Sequence, residues 1–307
     1  MTPVIVLFVG GYGRSGSTLL DRLLGQVDGV WSTGELAYVW EMGLARNRLC
    51  GCGEPFRSCP FWTEVGDLAF GGWDRVDIGA TLSLRRAVDR NRFIPFMRHP
   101  WLWPAFDRRL ERYAASMRSL VLAVRDVSGA GVLVDSSKFP SSGSVLRTLP
   151  EVDLRVAHLV RDARGVADSW GKRVARPDVV GRRVEMRRFG PARVALRWTT
   201  HNLATEWLGR GGAPYVRLRY EDLARDPRSA LREVLRLAGR GGADLGFLGE
   251  GQAELAPAHT VHGNPMRMST GRVAIGLDEA WRDGPDRWRR GLVTGLAWPT
   301  LRRYGYA

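Results

Sequence analysis

The chain has 307 residues, of which 44% are hydrophobic, and its 12 tryptophans are ample for a large globular core. The formal net charge of +14 favours anionic ligands, but Lys138 and Lys172 are the only lysines among 46 basic residues. No RNA-binding or zinc-finger pattern accompanies the charge, so we expect no nucleic-acid partner. No apolar run approaches the roughly 20 residues of a membrane span, and no signal-peptide pattern precedes the first strand; a cytoplasmic protein is therefore expected.

The first stretch predicts a strand, a glycine-rich loop and a helix. Val4–Val9 are six apolar residues, mostly β-branched or aromatic, which is typical of a strand buried on both faces. Apolar residues then recur at helical spacing from Ser17 onward: Leu19, Leu20, Leu23, Leu24 and Val27. The backbone N–H groups at the start of this helix would lack helical partners and would point at an anion. The stretch predicts an anion-binding loop; a glycine-rich turn without a ligand is the alternative.

The loop from Gly11 to Thr18 has the P-loop spacing G-x4-G-K-[ST] with one departure. Ser17 stands where the lysine belongs, and Arg14 is the only positive charge in the loop. A nucleoside triphosphatase or kinase relies on that lysine, so its absence disfavours such an enzyme.

Three cysteines, Cys50, Cys52 and Cys59, fall in one short segment bounded by glycine and proline. We expect an ordinary reduced loop without a catalytic role, because no neighbouring residue would obviously activate a thiol. Two alternatives stay open at this point: a disulfide, or a zinc site completed by one ligand from outside the segment.

Residues 31–36 are expected to cross back over the sheet, and residues 71–115 are expected to form a helical insertion. Prolines interrupt the insertion, so a continuous helix is not expected. It would act as a lid or pocket on the acceptor side, or it would simply pack on the core. Its aromatics, such as Trp101 and Trp103, hint at an apolar or ring-bearing acceptor.

Strand patterns recur at residues 132–134, 154–160 and 215–218, and an amphipathic helix is predicted near residues 231–238. Alternating strands and helices predict an α/β fold with a central, mainly parallel sheet flanked by helices and with ligands at the carboxyl ends of its strands. No linker divides the chain, so residues 1–307 are expected to form a single domain.

A second basic segment follows the strand at 154–160. Arg161 stands at the end of this strand, and Ser169 and Arg173 are expected to share one face of a helix that begins near Arg164. Guanidinium groups bind phosphate through a bidentate fork. The segment predicts a second phosphate site; a solvated arginine face is the alternative.

The loop Gly-Arg-Ser-Gly-Ser-Thr at 13–18 and the run Val-Arg-Asp…Ser at 160–169 resemble the two signatures of sulfotransferases that use 3′-phosphoadenosine 5′-phosphosulfate (PAPS). The resemblance covers most of the chain, because four further segments are similar to bacterial members: 50–62, 135–140, 259–267 and 301–306. It implies a P-loop-like fold and PAPS as co-substrate without a required metal. It also implies ligands for the 5′-phosphosulfate, namely Arg14, Ser15, Gly16, Ser17 and Thr18, and for the 3′-phosphate, namely Arg161, Ser169 and Arg173.

The spacing also resembles the tyrosylprotein branch of that family. There a catalytic glutamate follows the loop arginine by 21 residues, which corresponds to Glu35 here, and a lysine that stabilises the transition state corresponds to Lys138. Tyr220 corresponds to a tyrosine that contacts the cofactor, and the loop 262–271 to a segment that closes over the nucleotide. This chain departs from the branch at one position, where Ile275 replaces a basic residue. One of two nearby arginines would then serve instead: Arg267 or Arg272.

The residue types suit sulfuryl transfer independently of the resemblance. Arg14 and Lys138 would stabilise the transferred and leaving oxygens electrostatically, and Glu35 would take the proton from a hydroxyl or amine. The predicted acceptor is a small molecule, lipid or carbohydrate, and the oligomeric state is left open. The alternatives are a P-loop kinase acting on a small molecule, or a nucleotide- or polyanion-binding protein without catalytic activity.

Overall fold

The computed structural model describes residues 3–181 and 183–306. Its centre is a five-stranded sheet whose strands are all parallel and lie in the order β2-β3-β1-β4-β5. The strands are β1 Val4–Gly11, β2 Val30–Ser32, β3 Val132–Lys138, β4 Val152–Val160 and β5 Tyr215–Arg219. The predicted α/β fold with a central parallel sheet is confirmed.

Helices cover both faces of the sheet, and none in the described part of the chain is long and apolar enough to cross a membrane. The helices are α1 Ser17–Leu24, α2 Pro60–Phe70, α3 Ile78–Val88, α4 Ile94–Arg98, α5 Pro104–Ser128, α6 Pro140–Arg147, α7 Ala163–Gly171, α8 Pro191–Arg210, α9 Tyr220–Arg225, α10 Pro227–Leu237 and α11 Arg287–Arg303.

Strand β1 is the middle of the sheet and supplies two cores. Successive side chains of a strand point to opposite faces. Val6 and Phe8 therefore join a core with α2, α5 and α6, whereas Leu7 and Val9 join a core with α1 and α10. The chain runs from β1 to β2 and β3 on one side and to β4 and β5 on the other. The carboxyl end of β1 is thus the point where the strand order reverses, which is the usual ligand site of such sheets.

The first helix begins at Ser17 as predicted but ends at Leu24, so Val27 lies beyond it. Residues 31–36, expected to be a crossing segment, begin inside the edge strand β2, which pairs with β3. Single turns of other helix types follow: a 3-10 turn at Leu36–Tyr38 and a π-helix at Val39–Ala45. The three residues of β2 are too few for a period-two pattern to be recognised in the sequence.

Residues 71–115 are helical and interrupted, as their prolines predict. α3, α4 and the start of α5 alternate with 3-10 turns, and α5 continues past the predicted end to Ser128. A small antiparallel sheet was not predicted. It comprises β6 Leu248–Gly249, β7 Gln252–Leu255 and β8 Gly271–Ala274.

Candidate active site

The loop between β1 and α1 has the form of an anion site. Gly16 precedes α1 with φ of 86°, and a Cβ atom there would lie 2.5 Å from the ring of Tyr220. Glycine is therefore required both for the backbone conformation and for the close approach. Ser17 and Thr18 begin α1, whose first N–H groups have no intrahelical acceptor. The Ser15 side chain is buried, and its Oγ has no hydrogen-bond partner among the described residues.

Arg14 adopts the left-handed backbone conformation with φ of 72°, which is unusual for a residue other than glycine. Its Nη2 lies 3.1 Å from the sulfur of Met186, and its guanidinium lies 5.3 Å from the ring centroid of Trp170. Burial and the neighbouring Arg176 lower the pKa of Arg14, and the charge of Glu35 opposes this shift. Such strain is concentrated at functional sites, which makes Arg14 a candidate functional residue.

Glu35 and Lys138 meet at the carboxyl ends of β2 and β3. Lys138 Nζ donates to Glu35 Oε1 at 2.5 Å and to the carbonyl oxygen of Ser136 at 2.8 Å. Both side chains are largely buried, and Lys138 also has a positive φ of 71°. The two residues for which the resemblance implies catalytic roles therefore form one ion pair.

The backbone around Glu35 is held on two sides. Ser136 N donates to the carbonyl of Gly34 at 2.8 Å, and Glu35 N donates to the carbonyl of Val261 at 2.9 Å. A Cβ atom at Gly34, whose φ is 72°, would lie 2.5 Å from that same carbonyl. Gly34 allows β3 and the segment at Val261 to enclose the turn, and this enclosure fixes the backbone that carries the Glu35 carboxylate.

Three residues near Glu35 received no role in the sequence analysis: Tyr38, Arg176 and His262. Arg176 Nη2 donates to His262 Nδ1 at 2.9 Å, and the rings of Tyr38 and His262 are 4.5 Å apart. Burial, reinforced by the charge of Arg176, lowers the pKa of His262 to about 4 although Glu35 opposes it. Because a guanidinium can only donate, the neutral imidazole carries its proton on Nε2. His262 lies in the segment similar to bacterial sulfotransferases, whereas nothing in the sequence distinguishes Arg176 from the other arginines.

Arg161 connects the loop of β1 with the segment that follows β8. Its Nη1 donates to the carbonyl of Arg14 at 3.2 Å, and its Nη2 donates to Asp278 Oδ2 at 3.1 Å. The guanidinium lies 4.5 Å from the ring centroid of Tyr220, whose hydroxyl donates to the carbonyl of Gly276 at 3.2 Å. The structure therefore brings together the predicted residues Arg14, Arg161 and Tyr220.

The prediction that Ser169 and Arg173 share a helix face is wrong. Ser169 lies in α7, but this helix ends at Gly171 and the following Lys172 is extended, so Arg173 is exposed beyond the helix. Glycine is a poor helix former. The chain after it instead folds into a bridge between Ala175 and Glu185. Lys172, not Arg173, reaches Asp278, with Nζ 3.4 Å from Oδ2.

The two arginines expected to replace the basic residue at Ile275 lie elsewhere. Arg267 is buried, and its Nη1 and Nη2 donate to the carbonyls of Thr260 and Leu49 at 2.8 and 2.5 Å. Arg272 is exposed on β8. Ile275 itself belongs to the core. The residues over Arg161 and Tyr220 come from 276–281 and not from the predicted loop 262–271, whose beginning lies beside Glu35.

Comparison with known proteins identifies the family and the fold. Residues 7–241 match the model of the sulfotransferase family. The fold is similar to the sulfotransferase domain from the Synechococcus PCC 7002 olefin synthase, with 20% identity, a TM-score of 0.51 and coverage of 100% of this chain and 96% of that domain. The sulfotransferase domain from the curacin biosynthetic pathway is 15% identical with a TM-score of 0.49, and the match covers 100% of this chain and 99% of that domain. No curated protein sequence matches the chain. Because the family model spans most of its length, the chain belongs to the sulfotransferase family.

Proposed function

We propose that the protein transfers the sulfuryl group of PAPS to a hydroxyl or amine of a small-molecule, lipid or carbohydrate acceptor. The observation that carries the proposal is the Glu35–Lys138 pair at the carboxyl edge of the sheet, with the charge of Glu35 acting on Arg14. A carboxylate, an ammonium group and a guanidinium around an anion-binding loop are the groups that sulfuryl transfer requires.

In this proposal the loop that contains Arg14 and the cluster around Arg161 hold the two ends of one nucleotide. The 5′-phosphosulfate lies at the N-terminus of α1, where the unpaired hydroxyl of Ser15 and the guanidinium of Arg14 are available. The 3′-phosphate lies at Arg161, with Ser169 as a second ligand. Lys172 takes the part that the resemblance implied for Arg173.

Glu35 acts as the general base and takes the proton of the acceptor group. Lys138 moves from Glu35 to the leaving oxygen of the nucleotide, and Arg14 neutralises charge on the transferred group. These cations perform the role that magnesium and the P-loop lysine perform in kinases. Arg267 belongs to this machinery only indirectly, because its hydrogen bonds hold residue 260 next to the segment that supports Glu35.

We infer the binding site of the acceptor from a row of aromatic side chains. Ring centroids are 5.9 Å apart between Tyr38 and Phe139, 5.8 Å between Phe139 and His201, and 5.3 Å between His201 and Tyr12. This row runs from the neighbourhood of Glu35 to the loop after β1. It favours an acceptor with an apolar or ring-bearing body.

The helical insertion contacts the same region through α6, which follows Lys138. Asp89 Oδ2 accepts from Ser142 Oγ at 2.9 Å, and Asn91 Oδ1 accepts from Ser141 N at 3.2 Å. We assign residues 71–115 as the acceptor-side lid on the basis of this contact.

Ligand-dependent stability tests the proposal against the kinase alternative. Adenosine 3′,5′-bisphosphate should raise the unfolding temperature without metal, whereas ATP with magnesium should have little effect. The protein is then incubated with radiolabelled PAPS and an extract of the source cells, and label should appear in a product that is absent from protein-free samples. Stabilisation by ATP and magnesium alone would favour a kinase. Tight, salt-dependent heparin or RNA binding without transfer would favour a polyanion-binding protein.

A further inference from the structure

The three cysteines meet a histidine from a distant part of the chain. The thiols of Cys50, Cys52 and Cys59 and the Nδ1 atom of His259 all lie within 4.8 Å of one another. The Sγ atom of Cys59 is 3.7 Å from each of the other two sulfurs and 3.1 Å from His259 Nδ1. The cysteine segment thus gains the outside ligand that a metal site in it would need.

Four of the six separations between these ligand atoms lie near the edge lengths of a tetrahedron around one metal ion. With Zn–S bonds of about 2.3 Å, the sulfur–sulfur edge of a tetrahedral site is about 3.8 Å, close to the two separations measured from Cys59. His259 Nδ1 lies 3.1 and 3.9 Å from the sulfurs of Cys59 and Cys50, on either side of the roughly 3.5 Å expected for a sulfur–nitrogen edge. The three thiols are free, and their separations are far longer than an S–S bond of about 2.05 Å.

We propose that Cys50, Cys52, Cys59 and His259 bind one Zn²⁺ ion as a structural site. Three thiolates and one imidazole fill the four tetrahedral positions of zinc and leave none for water, which is the pattern of structural rather than catalytic sites. Soft thiolate ligands with imidazole select zinc over magnesium or calcium. Binding forms three Zn–S bonds and one Zn–N bond and releases the three thiol protons to solvent, with no change in oxidation state.

The surrounding residues hold the ligands in place. Cys50 N donates to the carbonyl of Glu54 at 2.7 Å, and Gly51 N donates to the carbonyl of Thr260 at 3.0 Å, which joins the cysteine loop to the histidine segment. Trp62 Nε1 donates to the carbonyl of His259 at 3.0 Å, and the ring of Phe61 is stacked on the imidazole at 5.3 Å. Contacts of this kind orient ligands before a metal binds.

The proposed zinc site would also balance a buried positive charge, that of Arg267, beside the four ligands. Arg267 donates to the carbonyls of Leu49 and Thr260, the residues adjacent in sequence to the ligands Cys50 and His259. It makes no direct ion pair with any carboxylate in the described part of the chain. Burying a charge is costly, and the nearby charge of Asp178 offsets part of this cost. A Zn²⁺ ion with three thiolates and a neutral imidazole carries a net charge of −1, which would balance the guanidinium.

The site would act on the proposed active centre from a distance. Two residues beyond His259, Val261 pairs with the backbone of Thr33 and Glu35. Zinc would therefore fix the segment against which Glu35 is positioned. This consequence rests on the proposed function, whereas the metal site itself does not.

The test begins with the metal content of the whole protein. Protein produced in zinc-supplemented medium and purified without chelators should contain about one zinc per chain by elemental analysis. The cobalt-substituted protein should show the visible absorption of tetrahedral cobalt together with thiolate-to-cobalt charge transfer. Neither measurement depends on sulfotransferase activity, so the proposal fails or stands separately from the proposed function.

Ligand variants identify the site. Cys52→Ser and His259→Gln should each weaken zinc binding at least about 100-fold in competition with a chromophoric chelator. His99→Gln removes an exposed histidine outside the cluster and should retain one zinc with unchanged affinity. Wild-type protein without zinc, an octahedral cobalt spectrum, iron in place of zinc, or zinc retained by both ligand variants would each overturn the proposal. If the ligand variants do not fold, the metal content and the cobalt spectrum of the wild type decide.

Discussion

The ammonium group of Lys138 lies 2.5 Å from the carboxylate of Glu35, although 103 residues separate them in the chain. The pair forms because the carboxyl ends of β2 and β3 are neighbours in a parallel sheet. Both groups are engaged in this arrangement, because the Glu35 carboxylate accepts from Lys138 and the Lys138 ammonium group donates to Glu35 and to the carbonyl of Ser136. The proposed mechanism requires Glu35 and Lys138 to exchange partners when the donor and acceptor bind. The two residues have different roles in it, and each role can be tested by its own variant.

Replacing Glu35 by glutamine should remove the general base while keeping the shape of the side chain. We expect Glu35→Gln to lower kcat by about 10²–10⁴-fold, the usual contribution of a general base, while the Kd for adenosine 3′,5′-bisphosphate changes little. Glu41→Gln is the matched control, because Glu41 pairs with Arg46 and Arg85 and has no proposed role in transfer. Near-full turnover in Glu35→Gln, measured by steady-state kinetics, would show that another group is the base.

The two lysines of the chain should separate chemistry from binding. Lys138→Ala should lower kcat by about 10²–10³-fold, because charge on the leaving oxygen is no longer neutralised. Lys172→Ala should leave kcat nearly unchanged and raise the KM for PAPS, since Lys172 lies beside the proposed 3′-phosphate site. Steady-state kinetics of both variants at saturating acceptor supply the comparison. The same kcat in wild type and Lys138→Ala contradicts the assignment.

Arg161 and Ser169 should recognise the 3′-phosphate specifically. Arg161→Ala and Ser169→Ala should each weaken adenosine 3′,5′-bisphosphate binding by about 1–3 kcal/mol, the range for loss of a hydroxyl or charged hydrogen bond. Adenosine 5′-phosphosulfate lacks the 3′-phosphate, so its affinity should hardly change. Calorimetric titration with both nucleotides checks this, and equal losses for the two ligands would remove the 3′-phosphate from this site.

Asp278 holds the cations that the 3′-phosphate would need. Burial raises the pKa of its carboxyl, but Arg161 and Lys172 outweigh this effect and lower it overall, so Asp278 is a carboxylate at neutral pH. The phosphate must displace this carboxylate. Asp278→Asn should therefore tighten adenosine 3′,5′-bisphosphate binding, by up to about 1 kcal/mol for an ion pair in which only Asp278 is partly exposed. Weaker binding in the same titration would instead make Asp278 a positioning residue for Arg161.

Asp21 should make the protein less stable as pH rises. Burial raises the pKa of its carboxyl to about 7, although hydrogen bonds such as the one from Ser32 oppose the shift. The folded state binds this proton more tightly than the unfolded chain, so stability is greatest below the unfolded pKa of about 4 and is lost between pH 4 and 7. The free energy of unfolding of wild type minus that of Asp21→Asn should fall by up to about 1.4 kcal/mol per pH unit there. Unfolding free energies are measured by urea denaturation at several pH values across this range. The same pH dependence in both proteins would contradict a raised pKa of Asp21.

Much of the fold was predictable because its signals are local. The apolar run of β1, the glycines after it and the helical spacing from Ser17 each involve a few consecutive residues, and the same is true of β3, β4 and β5. Two strands were missed because they are short: β2 has three residues and β6 two, too few for periodicity. The helices α2 and α11 were not predicted either. The end of α7 was missed because Gly171, a poor helix former, is followed by a pairing of residues 174–176 with 184–186 that only the folded chain shows.

The sequence by itself determined that a glycine-rich loop joins a buried strand to a helix, and that several basic residues lie at the ends of other strands. Only the tertiary structure decided which of them meet. Lys138 pairs with Glu35, Asp278 lies on Arg161, and His259 reaches the sulfur of Cys59 across 200 residues of chain. Hydrogen-bonding preferences of a loop follow from its own backbone, whereas contacts between distant side chains depend on how the whole chain crosses the sheet and packs on its two faces.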